Sequence, residues 1–213
     1  MEDINYTFND GKIYIIYGKN GVGKTTLLKI LSRYYMHSNQ QISFDDKNLI
    51  AYIPDNTELP DYLTGRQYIY LIGKTNKRDE DFIHNKIEEL DKIFDMSDKL
   101  DDLIKNYSLG MKHKVILMSS LAFSPDVVIL DEPFTSIDPI SVNKIRKYFS
   151  YLTSKNVMII ISTHQIENIL NFKAEYLHLS NKKVQKENNP QEFFINKKIL
   201  RYADEGFVDN KVE

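Results

Sequence analysis

Cysteine is missing altogether, which excludes disulfide bonds and thiolate metal sites and fits a reducing cytoplasm. An excess of one charge is missing too. Lys and Arg number 28 against 30 Asp and Glu, for a formal net charge of −2. Such a balance gives no global attraction to nucleic acid or to an anionic membrane. No apolar stretch approaches the roughly eighteen residues that span a bilayer. Met1-Glu2-Asp3-Ile4-Asn5 lacks the basic and apolar regions of a signal peptide. Any membrane role is therefore expected to come through a separate partner. Repeats, low-complexity tracts and long linkers are also absent, so the expected organisation is one domain over 1–213. What remains, 42% hydrophobic and 27% charged residues, is ordinary for a soluble globular chain. A length of 213 residues suffices for one α/β domain with an inserted subdomain.

The most informative residues that are present are Gly18-Lys19-Asn20-Gly21-Val22-Gly23-Lys24-Thr25, a complete G-x-x-x-x-G-K-[ST] loop. It follows the apolar run Ile13-Tyr14-Ile15-Ile16-Tyr17 and precedes Leu27, Leu28 and Leu31, a helical stripe. A buried strand, a glycine-rich turn and a helix beginning near Lys24 aim backbone N–H groups and a helix N-terminus at one point, where a polyphosphate can be held. Gly18, Gly21 and Gly23 let the backbone curl around the phosphates. Lys24 is expected to reach the β- and γ-phosphates and the Thr25 hydroxyl to complete a Mg²⁺ shell. The expected nucleotide-binding set is Gly18, Lys19, Asn20, Gly21, Val22, Gly23, Lys24, Thr25 and Thr26.

Along the rest of the chain, residues 4–8 and 12–17 alternate around Asn9-Asp10-Gly11 and read as a hairpin. Residues 42–44 and 49–53 read as strands, the second ended by Pro54. From about 57 to 105 apolar residues recur at helical spacing among many charges. A helix is expected over 109–122, a buried strand at Val127-Val128-Ile129-Leu130, a helix over 140–153 and another buried strand over 157–162. Residues 176–179 and 183–185 suggest a small final hairpin, and 190–213 a charged helix and loose tail. That helix carries Phe193, Phe194, Ile199 and Leu200, read chiefly as packing on the domain's own back.

Val127-Val128-Ile129-Leu130-Asp131-Glu132-Pro133 is an apolar strand ending in two carboxylates. Asp131 can hold Mg²⁺, often through water, and Glu132 can orient and deprotonate a water in line with a γ-phosphate. Upstream, Ser108 and Gly110 in Asn106-Tyr107-Ser108-Leu109-Gly110-Met111-Lys112 open an apolar helix and would make a second anion-binding helix N-terminus. One nucleotide does not need two such sites from one chain, so a second copy docked head-to-tail is expected to supply it.

In this order the motifs resemble the ATP-binding subunit of an ABC transporter, over nearly the whole chain. Asp55 stands where the family's loop glutamine is expected, and Ser108 to Met111 fall in its signature segment. Ser136-Ile137-Asp138 matches the loop that carries an aspartate across the dimer interface, and His164 in Ser162-Thr163-His164 falls at the switch histidine. The resemblance implies a P-loop NTPase core of mainly parallel sheet flanked by helices. A helical subdomain is inserted at approximately 57–122, and the N-terminal antiparallel β subdomain is reduced. It implies ATP and Mg²⁺ as ligands, with Thr25, Asp55 and Asp131 toward the metal. Two ATP molecules would be sandwiched between the P-loop of one subunit and Ser108 and Gly110 of the other. Glu132 would be the general base, with His164 on the γ-phosphate and attacking water. The implied partners are a membrane-spanning permease subunit and a second ATPase subunit in a homodimer or pseudo-homodimer, with no nucleic acid. The implied location is the cytoplasmic face of the membrane.

Three departures from the family pattern stand out. Only seventeen residues precede Gly18, so the upstream strand and adenine-stacking aromatic are shortened or missing. Tyr6, Phe8 and Tyr17 are candidates for that stacking and equally for sheet packing. Asp55, in place of glutamine, is either a Mg²⁺ ligand or a solvated loop residue. The signature reads Ser-Leu-Gly-Met-Lys, the form of bacterial exporters of antibiotics, peptides and sodium, and Leu63-Thr64-Gly65-Arg66 points the same way. Export of a peptide or antibiotic is the expected role. The competing readings are a soluble ABC-type ATPase of translation or DNA repair and a small-molecule kinase. The kinase reading leaves Ser108 to Met111 and Ser162 to His164 without purpose.

Overall fold

The computed structural model describes residues 4, 6–35, 49–164 and 172–188. The chain runs β1 (Ile13–Tyr17), α1 (Lys24–Leu31), β2 (Ile50–Ile53), α2 (Gly65–Thr75), α3 (Glu80–Phe94), α4 (Leu109–Leu121), β3 (Val127–Asp131), α5 (Pro139–Ser154), β4 (Met158–Thr163), β5 (Glu175–Ser180) and β6 (Lys183–Glu187). A single 3₁₀ turn, Ile104–Asn106, precedes α4. Six strands form one sheet in the order β2-β3-β4-β1-β5-β6. Every pairing is parallel except the β5–β6 hairpin.

The three central strands are apolar on both faces because both faces are covered. Ile13, Ile15 and Tyr17 of β1 point into the core shared with α2 to α5, whereas Tyr14 and Ile16 point to the α1 side with Leu27, Leu28 and Leu31. The two-residue period of the strand assigns the two faces. Between β2 and β3 the chain makes α2, α3 and α4. Thr64 caps α2 with a capping box closed by Gln67, and Asp79 caps α3 through Phe82 N–H. Ile69, Ile83, Ile87, Leu90 and Phe94 are fully buried where α2 and α3 meet the core. Truncating any one to Ala removes roughly 2–5 kcal/mol by the usual cost of a core cavity.

The N-terminal hairpin does not form. Residues 4 and 6–9 are not strand, and β1 already has β4 on one side and β5 on the other, so no ladder position remains for them. The turn at Asp10 and Gly11 does occur, but it folds Tyr6 and Phe8 edge-on over Tyr14. Ring centroids are 4.9 Å apart for Tyr6–Phe8 and 4.8 Å for Phe8–Tyr14. The expected antiparallel N-terminal layer is thus replaced, among the described residues, by an aromatic cluster. Among the described residues the antiparallel strand pair of the sheet is the late hairpin β5–β6, which matches expectation. The strand expected at 42–44 and the helix expected over 190–213 lie outside the described residues.

Candidate functional site

The strand order puts the carboxyl ends of β3, β4 and β1 side by side, with Asp131 opposite Ser162 and Tyr17 opposite Thr163. In an open α/β sheet the crevice at such ends is where ligands bind. The loop leaving β1 turns through Gly21 (φ 76°) and Gly23 (φ 106°), a left-handed backbone that side chains with a Cβ avoid. Gly23 is the N-cap of α1 and gives no side-chain cap. The first-turn N–H groups of α1 therefore face the loop's concavity, with the positive end of the helix dipole behind them. Lys24 is only 7% exposed. Its ammonium donates to the carbonyls of Gly18 (3.0 Å) and Lys19 (3.3 Å), spanning the mouth of the same loop.

Asp131 is buried, at 2% exposure, and both of its carboxylate oxygens are satisfied. Thr25 Oγ1 donates to Oδ2 at 2.6 Å and Ser162 Oγ donates to Oδ1. A buried carboxylate requires such partners. The loop after β1 and the end of β3 are thereby joined by one hydrogen bond between Thr25 and Asp131. Glu132 adopts the left-handed region, φ 50°, a conformation that costs a non-glycine residue roughly 1–3 kcal/mol and clusters at functional sites. Its N–H donates to the Ser162 carbonyl at 3.1 Å. Its carboxylate accepts from Thr163 Oγ1 at 2.9 Å and lies 2.7 Å from His164 Nδ1. The two carboxylates expected at the end of this strand are therefore oriented by three successive residues of β4's end.

Asp55 is brought to the same place. It lines a cleft of about 20 Å³ with His113, Asp131 and Glu132, floored by Ile53, Ile116 and Leu117. Desolvation by the surrounding protein, then the negative charge of Asp131 and Glu132, push its pKa above the ordinary carboxyl value, against the opposing pull of His113 and His164. Thr25, Asp131 and Asp55 are hard oxygen donors suited to Mg²⁺, which is commonly held by one or two carboxylates plus substrate phosphates. Among the described residues no group of three or more such side chains forms a complete protein cage.

Ser108 and Gly110 stand elsewhere. Ser108 is the exposed N-cap of α4, its hydroxyl accepting from Met111 N–H at 3.2 Å, and neither residue bonds to the loop at 18–25. A Cβ on Gly110 would lie 2.6 Å from the Ser136 carbonyl, so the Ser108 turn packs directly on the loop after β3. Asp138 caps α5 through Ser141 N–H at 2.8 Å and lies 3.6 Å from Lys114. Those hydrogen bonds from Ser141 hold its pKa below the ordinary value. Of the three aromatic candidates for adenine, Tyr17 is buried at 1% exposure and stacked on His178 at 5.0 Å, and Tyr6 and Phe8 pack on Tyr14.

Sequence reasoning named Thr25 and His164 but gave no role to Ser162 and Thr163, the other partners of the two carboxylates. Ser162 and Thr163 are buried hydroxyls at the end of an otherwise apolar strand, and that break in pattern was the available signal. It also missed His113, whose Nδ1 bonds the Thr135 carbonyl and ties α4 to the loop after β3. No pattern in the sequence marks that pairing.

Comparison with known proteins agrees with this geometry. A family model described as ABC transporter matches residues 1–135. A putative ABC transporter ATP-binding protein of Mycoplasma pneumoniae is 28% identical over 181 residues, 81% of this chain and 56% of the relative. The bacitracin transport ATP-binding protein of Bacillus licheniformis is 29% identical over 182 residues, 79% of this chain and 58% of the relative. The matched part therefore spans little more than half of either relative. A solved ATP-binding subunit of an ABC transporter superposes with a TM-score of 0.83 at 22% identity, covering 95% of this chain and 92% of its own. That likeness shows the fold. With the P-loop, the paired carboxylates and a family match over more than half its length, the chain belongs to the ABC transporter family as one of its ATP-binding domains.

Proposed function

We propose that the chain hydrolyses ATP to ADP and phosphate and thereby powers a separate membrane-spanning permease subunit. The observation that carries this reading is the held carboxylate of Glu132, fixed by Thr163 and His164 beside the Thr25–Asp131 bond at the mouth of the P-loop. In the proposed reaction, loop N–H groups and Lys24 hold the β- and γ-phosphates. Glu132 takes a proton from water as the water oxygen bonds to the γ-phosphorus. The bond to the bridging oxygen breaks and ADP keeps that electron pair. His164 holds the attacking water and the γ-phosphate. Thr25 and Asp131, with Asp55 at the rim, would hold Mg²⁺, whose charge offsets that of the phosphates.

Two copies are proposed to face each other as a homodimer or pseudo-homodimer, each offering Ser108 and the uncovered start of α4 to the nucleotide on its neighbour. Support comes from the exposure of Ser108 and its lack of any bond to its own P-loop. No helix among the described residues is long and apolar enough to cross a membrane. The proposed location is the cytoplasmic face, held there by the proposed permease. Export of a peptide or antibiotic is supported by the Ser-Leu-Gly-Met-Lys signature and by the similarity to a protein named for bacitracin transport.

Glu132→Gln tests this. ATP binding is retained, turnover falls by about 10²-fold or more, the usual worth of a positioned base, and the variant runs as a dimer with ATP on size exclusion. Full ATPase activity in that variant removes Glu132 from the role of base.

A further inference from the structure

The segment Leu63-Thr64-Gly65-Arg66 has no part in the chemistry above, yet it is fastened along its length to the stretch leading into Ser108. The Leu63 carbonyl accepts from Ile104 N–H at 2.9 Å and Arg66 N–H donates to the Leu100 carbonyl at 2.8 Å. Thr64 bridges Leu103, and the Arg66 guanidinium grips Asp101 through two bonds of 2.7 and 3.1 Å. Just upstream, the Asp61 carboxylate lies 3.6 Å from Lys112 in the first turn of α4.

At the centre of this joint Gly65 meets Tyr107, the residue before Ser108. A Cβ on Gly65 would stand 2.4 Å from Tyr107 Oη and 3.3 Å from Val115 Cγ2. The phenol cannot swing aside without loss. Tyr107 is 7% exposed, its hydroxyl donates to the Lys99 carbonyl at 2.5 Å and its N–H to the Ile104 carbonyl at 3.0 Å.

We infer that Gly65 and Tyr107 are positioning residues for hydrolysis: the bare Cα of Gly65 admits the Tyr107 phenol between the starts of α2 and α4, and that contact sets where Ser108 meets the neighbour's nucleotide. This rests on the reading that Ser108 acts on the nucleotide bound by a second copy. Its consequence is that α2 and the Ser108 turn move as one piece, so a push on α2 reaches the neighbour's site without passing through the P-loop.

The test measures ATP turnover and binding of a fluorescent ATP analogue on the full chain, with melting temperature as the control for folding. Gly65→Ala pushes the phenol and the turn, lowering kcat about tenfold or more, since a misplacement near 1 Å costs up to about 10²-fold. P-loop affinity stays within about twofold because that loop is untouched. Adding Tyr107→Phe removes the crowded oxygen, so the double variant returns to within about threefold of Tyr107→Phe alone, a coupling expected of groups in contact. Tyr107→Ala, which empties the joint instead of crowding it, shows the same loss of kcat with unchanged affinity. Wild-type kcat in Gly65→Ala or in Tyr107→Ala, or a double variant no better than Gly65→Ala, overturns the inference. Ser108→Arg separates the two ideas. If it abolishes turnover while Gly65→Ala does not, only this inference falls. If Ser108→Arg turns over normally, the reading beneath it fails as well.

Discussion

At the scale of single residues, the site is a set of carboxylates whose neighbours differ. Asp131 has two hydroxyl donors and no solvent, Glu132 has a hydroxyl and an imidazole, and Asp55 has the negative charge of both. Desolvation first, and then that negative charge, push Asp55 toward protonation. A carboxyl whose folded pKa is raised contributes stability below its ordinary value of 3.8 and loses it as pH rises through the folded value. At neutral pH its charge therefore opposes folding. Asp55→Asn is expected to raise the melting temperature at pH 7 and to lose that gain near pH 3. If the same carboxylate serves Mg²⁺, the substitution also raises the half-saturating Mg²⁺ concentration for turnover several-fold. An unchanged Mg²⁺ requirement assigns Asp55 to the solvated loop alone. Stability gained with function lost is the usual trade at such a residue.

At the scale of elements, Glu175 at the start of β5 joins three parts of the chain. It accepts from Lys12 before β1 at 2.6 Å, lies 2.9 Å from Lys186 on β6, and accepts from Tyr6 of the N-terminal segment at 2.9 Å. Lys12 first, then Lys186, hold its pKa down to about 2 from an ordinary 4.5. A depressed acid stabilises above its ordinary pKa and loses that contribution as pH falls toward the folded value. Glu175→Gln should thus lower stability at pH 7 and flatten the fall in melting temperature between about pH 4.5 and 2. A slope as steep as wild type assigns that acid sensitivity elsewhere. The effect is modest, because Lys12 and Lys186 are well exposed and solvent screens them. This same junction shows what the sequence conceals. Ile13 to Tyr17, Val127 to Leu130 and Met158 to Ile161 are legible as buried strands because four or five consecutive apolar residues fit little else. The helix start at Ser108 is legible because its side chain can accept from the first turn, whereas the caps at Thr64 and Asp79 lie in a stretch that reads only as helical spacing. Ile4, Tyr6 and Phe8 alternate like a strand, yet alternation reports only one apolar side. Whether a ladder forms depends on a free neighbour, and β5, some 160 residues later, occupies that edge of β1. Likewise Asp131 and Glu132 are visible as a pair, while the bonds to Ser162, Thr163 and His164 exist only through the β3–β4 register.

At the scale of the whole molecule, the described residues offer a turn suited to phosphate but no free ring among the three aromatic candidates for a base. The turn at 18–25, the start of α1 and the ends of β3 and β4 converge on one place, where the proposed polyphosphate would sit. The antiparallel layer that would carry a stacking ring is not built among the described residues, because both edges of β1 are taken. Its aromatic candidates are committed to other work: Tyr17 is sealed under His178, and Tyr6 and Phe8 cover Tyr14. Stacking a base on an aromatic side chain is worth about 1–3 kcal/mol, or roughly ten- to a hundredfold in affinity. Without it, binding is dominated by charge-assisted contacts to phosphates that ATP and GTP share. Competition between the two nucleotides on the full chain is therefore expected to give affinities within about threefold of each other, and Tyr6→Ala should change neither while lowering stability. A preference for ATP of tenfold or more that survives Tyr6→Ala and Phe8→Ala requires a partner for adenine outside the described residues or on a second copy. A preference abolished by either substitution instead makes that ring the stacking group and contradicts the packing role that the structure gives it.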